Sequence, residues 1–250
     1  MTGMKIEPPG TYRPQYHIHW RGLARALDRF PRVKARLAAS VRGLLQKVFD
    51  PGMVTTERVV EYPFIYQNLA GVAGPILDIG CAHSGLPIAL ASCGYVVIGI
   101  DILPYPYRHP NLRAVRGDAV RCPFAAGSFG AVLAISAIEH IGLGHYGDPT
   151  ASVGDREVVR EIARILRPGG RAILTVPFGR ALTDDFKRVY DPPRLRELLT
   201  PLVPLRIQYA WSREGLWTPC AEAEAATADW TGSTRAVALV VAAPPAERAP

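Results

Sequence analysis

Ile76-Leu77-Asp78-Ile79-Gly80-Cys81-Ala82-His83-Ser84-Gly85 is the stretch on which the fold of this chain turns. Three branched aliphatic residues in four make an apolar run the length of a short buried strand. Gly80 ends the run with a residue that tolerates positive φ and lets backbone come close to a ligand. Residues 86–92 then read as a helix, so the stretch is a strand–turn–helix joint. Upstream, residues 57–69 have a helical pattern. Downstream, strands are expected at 95–100, 112–115, 131–135 and 171–176, with helices at 155–166 and 192–199 and final strands at 205–209 and 236–241. The 155–166 helix is stopped by Arg167-Pro168-Gly169-Gly170. Strands alternating with helices predict an α/β fold, a doubly wound, mostly parallel sheet.

In such a sheet, ligands bind outside the carboxyl ends of the strands, near a switch in strand order. Asp101 ends the strand after the glycine turn, where a carboxylate can accept both hydroxyls of a ribose. Asp118 follows the third strand and can accept a hydrogen bond from an adenine amino group. One acid at a strand end is commonly a helix cap. Two at successive strand ends behind a glycine turn point to a nucleoside.

At this point the chain resembles the class I S-adenosylmethionine-dependent methyltransferases, in the group with a type 11 methyltransferase domain. The resemblance runs from about Glu57 to Arg196 and rests on several stretches. These are ILDIGCAHSG, VVIGIDI, the GDA and CPF steps of residues 117–124, SAIEHI, ILRPGGRAILTVPFG and RVYDPPRLRELL. It implies a Rossmann-like sheet with a C-terminal antiparallel hairpin, and S-adenosylmethionine as cofactor. Asp78, Gly80 and Ala82 would border its methionine part, with Gly85 taking part in the turn. Asp101 would bind the ribose, Ile102 would pack on the adenine, and Asp118 with Ala119 would hold the adenine edge. The chain departs from the family in two places. The usual G-x-G-x-G reads Gly80, Ala82, Ser84, and the acid that commonly follows the Ser-Phe pair is Gly130. A dehydrogenase would need G-x-G-x-x-G and a hydride-transfer partner such as Tyr-x-x-x-Lys, and neither is present.

The fourth strand should end near Ser136, which puts Ser136, Glu139 and His140 at the mouth of the cofactor pocket. Glu139 and His140 are the acid/base candidates, since an unperturbed imidazole titrates near neutrality. A structural histidine bonded to a loop carbonyl is the competing reading. Gly142, Gly144 and Gly147 mark a loop whose Tyr146 and Asp148 could reach an acceptor. Arg188 and Tyr190 could hold a polar acceptor or tie down their own loop. Asp184-Asp185 reads as an exposed pair before a helix rather than a cation site. Residues 211–230 carry Trp211, Trp217 and Trp230, suited to an acceptor-binding insert or to packing against the N-terminal helices.

Composition narrows the function classes. Apolar residues make up 48% of the 250, as in a globular protein. No run of about 18 uncharged apolar residues argues for a spanning helix. The first residues lack the apolar core of a signal peptide, which points to the cytoplasm. Cys81, Cys93, Cys122 and Cys220 are scattered and read as free thiols. Residues 1–50 hold ten Lys/Arg and three Asp/Glu, while the other 200 hold nineteen of each. The basic surplus therefore sits in the N-terminal segment and not around the expected cleft, which counts against a nucleic-acid substrate. The chain divides into a basic helical extension or lid (1–56), a catalytic domain (57–243) and a frayed tail (244–250). Within the extension, residues 31–49 form an amphipathic basic helix that can pack on the domain, sit on a membrane surface or contact nucleic acid. His17 and His19 alternate but lack a third ligand nearby, so no metal is expected. The expected activity is O-methylation of a small molecule, a sugar or secondary metabolite. RNA or protein methylation through the basic arm, and a cofactor-binding homologue without catalysis, are the alternatives. The oligomeric state, a homodimer included, is left open.

Overall fold

The computed structural model describes residues 56–148, 154–213 and 215–245. The expected basic helix, His17 and His19, and residues 246–250 of the tail lie outside these. Ten strands and five helices follow in chain order: α1 (Arg58–Leu69), β1 (Ile76–Ile79), α2 (Leu86–Ser92), β2 (Val97–Asp101), β3 (Leu112–Arg116), β4 (Phe129–Ile135), α3 (Gly154–Ile165), β5 (Leu166–Phe178), β6 (Leu182–Thr183), β7 (Arg188–Val189), α4 (Pro192–Leu199), β8 (Val203–Arg213), β9 (Leu216–Cys220), α5 (Glu222–Ala225) and β10 (Arg235–Ala243).

Eight strands form one sheet in the order β3-β2-β1-β4-β5-β10-β8-β9, and β6 pairs β7 separately. The first five are parallel, and β10, β8 and β9 add antiparallel neighbours. The fold is thus α/β and Rossmann-like with an antiparallel end. After β1 the chain builds outward through β2 and β3, then returns to the other side of β1 as β4. The tips of β1 and β4 flank that switch, where a crevice opens.

Both faces of the sheet are covered. On one, Val158, Ile162, Leu195 and Leu198 of α3 and α4 meet Leu77, Ile79 and Val132. On the other, Ile65, Leu69, Leu86 and Leu90 of α1 and α2 meet Ile76, Leu133 and Ile173. Burying each such side chain is worth about 1.5–3 kcal/mol. Burial on both faces explains why β1 and β4 are apolar at nearly every position.

Three local readings differ from the expectation. Strand β5 begins at Leu166 and runs through Pro177, where a stop was expected. Proline is accommodated because β4, whose pairing ends at Thr175, no longer needs a donor there, and the Pro177 carbonyl accepts from the Tyr190 amide. Strand β9 and the β6–β7 hairpin carry too little periodicity to be read. Gly130, where the family resemblance implied an acid, touches the chain before β1. A Cβ there would lie 1.8 Å from the Ala73 carbonyl oxygen. No helix among the described residues is long and apolar enough to cross a membrane.

Candidate active site

The crevice is a cavity of about 470 Å³ over the tips of β1, β2 and β4. Its inner end is made by the turn after Ile79. Gly80 has φ +76°, and a Cβ there would lie 2.6 Å from that of Ala137, so this position admits no other residue without movement. Asp78 lines the cavity although its side chain is almost wholly buried, and its Oδ2 has no hydrogen-bond partner. Burial pushes its carboxyl up to about 7, against the lowering pull of Arg58 and with Asp101 adding to the rise.

Asp101 links two loops. Its Oδ2 accepts from the Ala82 amide and its Oδ1 from the Leu103 amide, each at 2.8 Å. Ala82 is therefore held by its own N–H, which makes a second glycine unnecessary. Ser84, at the third glycine position, accepts through Oγ from the Leu86 amide at the start of α2. Gly85 has ordinary helical φ at the helix start and does not line the cavity, nor does Ala82. Ile102, Asp118 and Ala119 do line it. Asp118 Oδ1 also accepts from Val120, the turn-capping role that sequence alone could not separate from ligand binding.

Ser136 sits at the tip of β4 with φ +45°, the sole non-glycine residue with positive φ among those described. Its Oγ donates to Glu61 Oε1 at 2.7 Å and its amide to Thr175. Glu61, fully buried on α1, also accepts from Thr175 Oγ1 at 2.6 Å and from Arg58 at 2.5 Å. This network was not expected from sequence. The available signal was an acid on the same helix face as the buried Phe64 and Ile65.

At the other end lie Glu139 and His140. Glu139 is buried with Oε2 unpartnered, and desolvation drives its carboxyl well above the usual carboxylate range. His140 Nδ1 is 2.5 Å from the Phe186 carbonyl oxygen. A carbonyl can only accept, so Nδ1 carries the proton and Nε2 keeps its lone pair. Nε2 lies 3.7 Å from Glu139 Oε1. Burial is the first cause lowering the His140 pKa, with His145 and Lys187 adding to it. One ring nitrogen is thus bonded to a loop carbonyl, and the other keeps its lone pair. His140 contacts the Phe186 ring at 4.5 Å and that of Tyr146 at 5.7 Å. Lys187, Trp230 and Arg235 complete this wall.

Arg188 and Tyr190 take the structural alternative. Both are buried: Tyr190 donates to Asp155 Oδ2 at 2.9 Å, and Arg188 Nη1 donates to the Ile141 carbonyl at 2.7 Å. Asp184 accepts from the Phe186 and Lys187 amides and shapes the β6–β7 turn. Trp211 is buried in the sheet, whereas Trp230 lines the cavity with its Nε1 bonded to the Phe178 carbonyl. Among the described residues, no His, Cys, Asp or Glu group is arranged to hold a metal.

Residues 77–174 match the family described as methyltransferase domain. A demethylmenaquinone methyltransferase of Corynebacterium kroppenstedtii is 32% identical over 50% of this chain and 51% of its own. A 27-O-demethylrifamycin SV methyltransferase of Amycolatopsis mediterranei is 31% identical over 46% and 44%. An 18S rRNA (guanine-N(7))-methyltransferase of Schizosaccharomyces pombe is 34% identical over 43% of each. The matched stretches thus span about half the length of these relatives or less. Among solved structures, a SAM-dependent methyltransferase of Methanosarcina mazei superposes with TM-score 0.51 at 17% identity, covering 72% of this chain and 96% of that one. The strand order is that of a Rossmann-like sheet, and the segment that carries the glycine turn is similar to the methyltransferase domain.

Proposed function

We propose that this protein transfers a methyl group from S-adenosylmethionine to a hydroxyl of a small molecule. The cofactor-side residues fit that group. Gly80 lines the cavity with bare backbone, the unpartnered Asp78 Oδ2 suits the cofactor's ammonium, and Asp101 retains free lone pairs for a ribose. Ile102 and Ala119 offer apolar surface to the adenine, with Asp118 at its edge and Ser136 at the wall between the two ends. Bound there, the cofactor supplies an electrophilic methyl on a cationic sulfur.

The observation that carries the reading is the fixed tautomer of His140. With Nδ1–H committed to Phe186, Nε2 takes the proton released as the acceptor oxygen gains the methyl and the sulfur leaves neutral. A lowered pKa keeps the ring neutral, and so basic, at neutral pH. General base action of this kind contributes about 10²–10⁴-fold. Burial raises the Glu139 carboxyl well above the usual carboxylate range, which favours its neutral form beside Nε2.

The test is transfer of label from methyl-labelled S-adenosylmethionine to a panel of hydroxylated small molecules, run beside total RNA and protein. Label in a small molecule, sharply reduced in His140→Ala, supports the reading. Label confined to RNA or protein replaces it with the alternative suggested by the basic N-terminal segment, and no transfer anywhere favours a non-catalytic binder.

A further inference from the structure

The outer wall of the cavity carries a line of contacts that methyl transfer alone does not use. From the His140 ring it passes to Phe186 at 4.5 Å, from Phe186 to Lys187 Nζ at 5.6 Å, from Lys187 to Trp230 at 5.8 Å, and from Trp230 to Arg235 at 5.6 Å. Two cations thus stand around one indole, and the indole is fixed by its bond to Phe178. Lys187 is paired with Asp184 Oδ2 at 3.7 Å, whereas Asp229 pairs with Arg180. Arg235 has no carboxylate within 4.0 Å among the described residues. Of the acids that line the cavity, Asp78, Asp101 and Asp118 belong to the strand tips and Glu139 and Asp148 to the His140 side. Beyond Phe186 the wall carries Arg235 beside the Lys187–Asp184 pair, an excess of one positive charge.

We propose that the acceptor is an anion, a ring bearing a carboxylate or phosphate. The ring lies against Phe186 and Trp230, the hydroxyl to be methylated faces His140 Nε2, and the acidic group rests between Lys187 and Arg235. Aromatic faces suit a flat or sugar ring, and flanking ammonium and guanidinium groups suit its charge. The proposal rests on the methyl-transfer reading and adds the chemical class of its acceptor.

Calorimetry on the full chain saturated with S-adenosylhomocysteine tests it with two matched pairs: 4-hydroxybenzoate against 4-hydroxybenzamide, and glucose 1-phosphate against glucose. At least one anion should bind roughly tenfold or more tightly than its neutral partner, the scale of a charge-assisted contact. The pair that shows the gap says whether the ring is aromatic or a sugar. Lys187→Gln with Arg235→Gln should remove the gap between anion and neutral partner, and Lys187→Arg should keep it. Neutral compounds binding as well as anions, a gap that survives the double variant, or no binding of any of the four would overturn the proposal. A chain that fails to take up S-adenosylhomocysteine fails the methyl-transfer reading first, and the proposal with it.

Discussion

The two ends of the cavity are built on different principles. At the cofactor end the contacts come from strand tips and one ten-residue turn, and much of the recognition surface is backbone held at fixed φ. At the acceptor end the wall is assembled from His140, Phe186, Lys187, Trp230 and Arg235, side chains nearly a hundred residues apart. Backbone geometry ties the first to the sheet itself, so it changes only if the fold changes. Side chains on a two-residue hairpin and a connecting loop can be exchanged without disturbing the sheet, which is how one fold serves many acceptors.

If that contrast is right, the largest effect should come from filling the turn. Gly80→Val places a branched side chain at φ +76° and against Ala137. Backbone strain and overpacking together should weaken S-adenosylhomocysteine binding at least about 100-fold. Near-wild-type affinity by calorimetry would show that the turn is pliable and that the contrast between the two ends is false.

The next effect belongs to the acceptor end. His140→Ala should lower kcat by about 10²-fold or more while changing S-adenosylhomocysteine affinity little. In the wild type, kcat should rise with pH through the depressed pKa of His140 and level off at a lower pH than for an ordinary imidazole, because only the neutral ring accepts a proton. A rate that falls across that range, or a normal rate in the variant, would leave His140 as a loop anchor.

This division also explains what could be read from sequence. The ILDIGCAHSG turn, Asp101 and Asp118 are legible because the strand period and a single glycine fix where they lie. The site at the switch of strand order follows from the same alternation, whereas the antiparallel end was implied only by the family resemblance. Phe186 was missed because two-residue strands have no period and the Asp184 that shapes its turn reads like any exposed acid, while Lys187 opens a stretch expected on the acceptor side but was given no role of its own. Glu61 was missed because one carboxylate in a helix reads as surface until its face is known to be buried. Arg188 and Tyr190 show the converse: residue types suited to binding a ligand, but turned inward to hold the loop at Ile141 and the start of α3.

A smaller effect separates Asp101 the ligand from Asp101 the brace. Asp101→Ala strands the Ala82 and Leu103 amides, a loss of about 2–4 kcal/mol in stability. That should appear as a drop of roughly 5–12 °C in Tm. Asp101→Asn keeps one carbonyl acceptor and should recover much of the Tm while cofactor affinity stays about tenfold low. If both variants melt as the wild type does, the carboxylate is not what ties the two loops together, and the substitutions at Ala82 and Ser84 lose their explanation.

The smallest expected signal is a fraction of a proton. In the free protein the Asp78 carboxyl titrates at about 7, whereas an ordinary aspartate in the unfolded chain titrates at about 3.9. The folded state therefore holds a proton that the unfolded state has given up, and this residue's contribution to stability falls as pH rises between those two values. An ammonium arriving at Oδ2 favours the ionised form and reverses the balance. Binding of S-adenosylhomocysteine at pH 6–6.5 should thus release up to about one proton from Asp78, read as a dependence of the calorimetric enthalpy on the ionisation enthalpy of the buffer. Asp78→Asn should abolish the release. Release undiminished in that variant would put the ammonium elsewhere, and the inner end of the cavity would have to be rebuilt around a different partner.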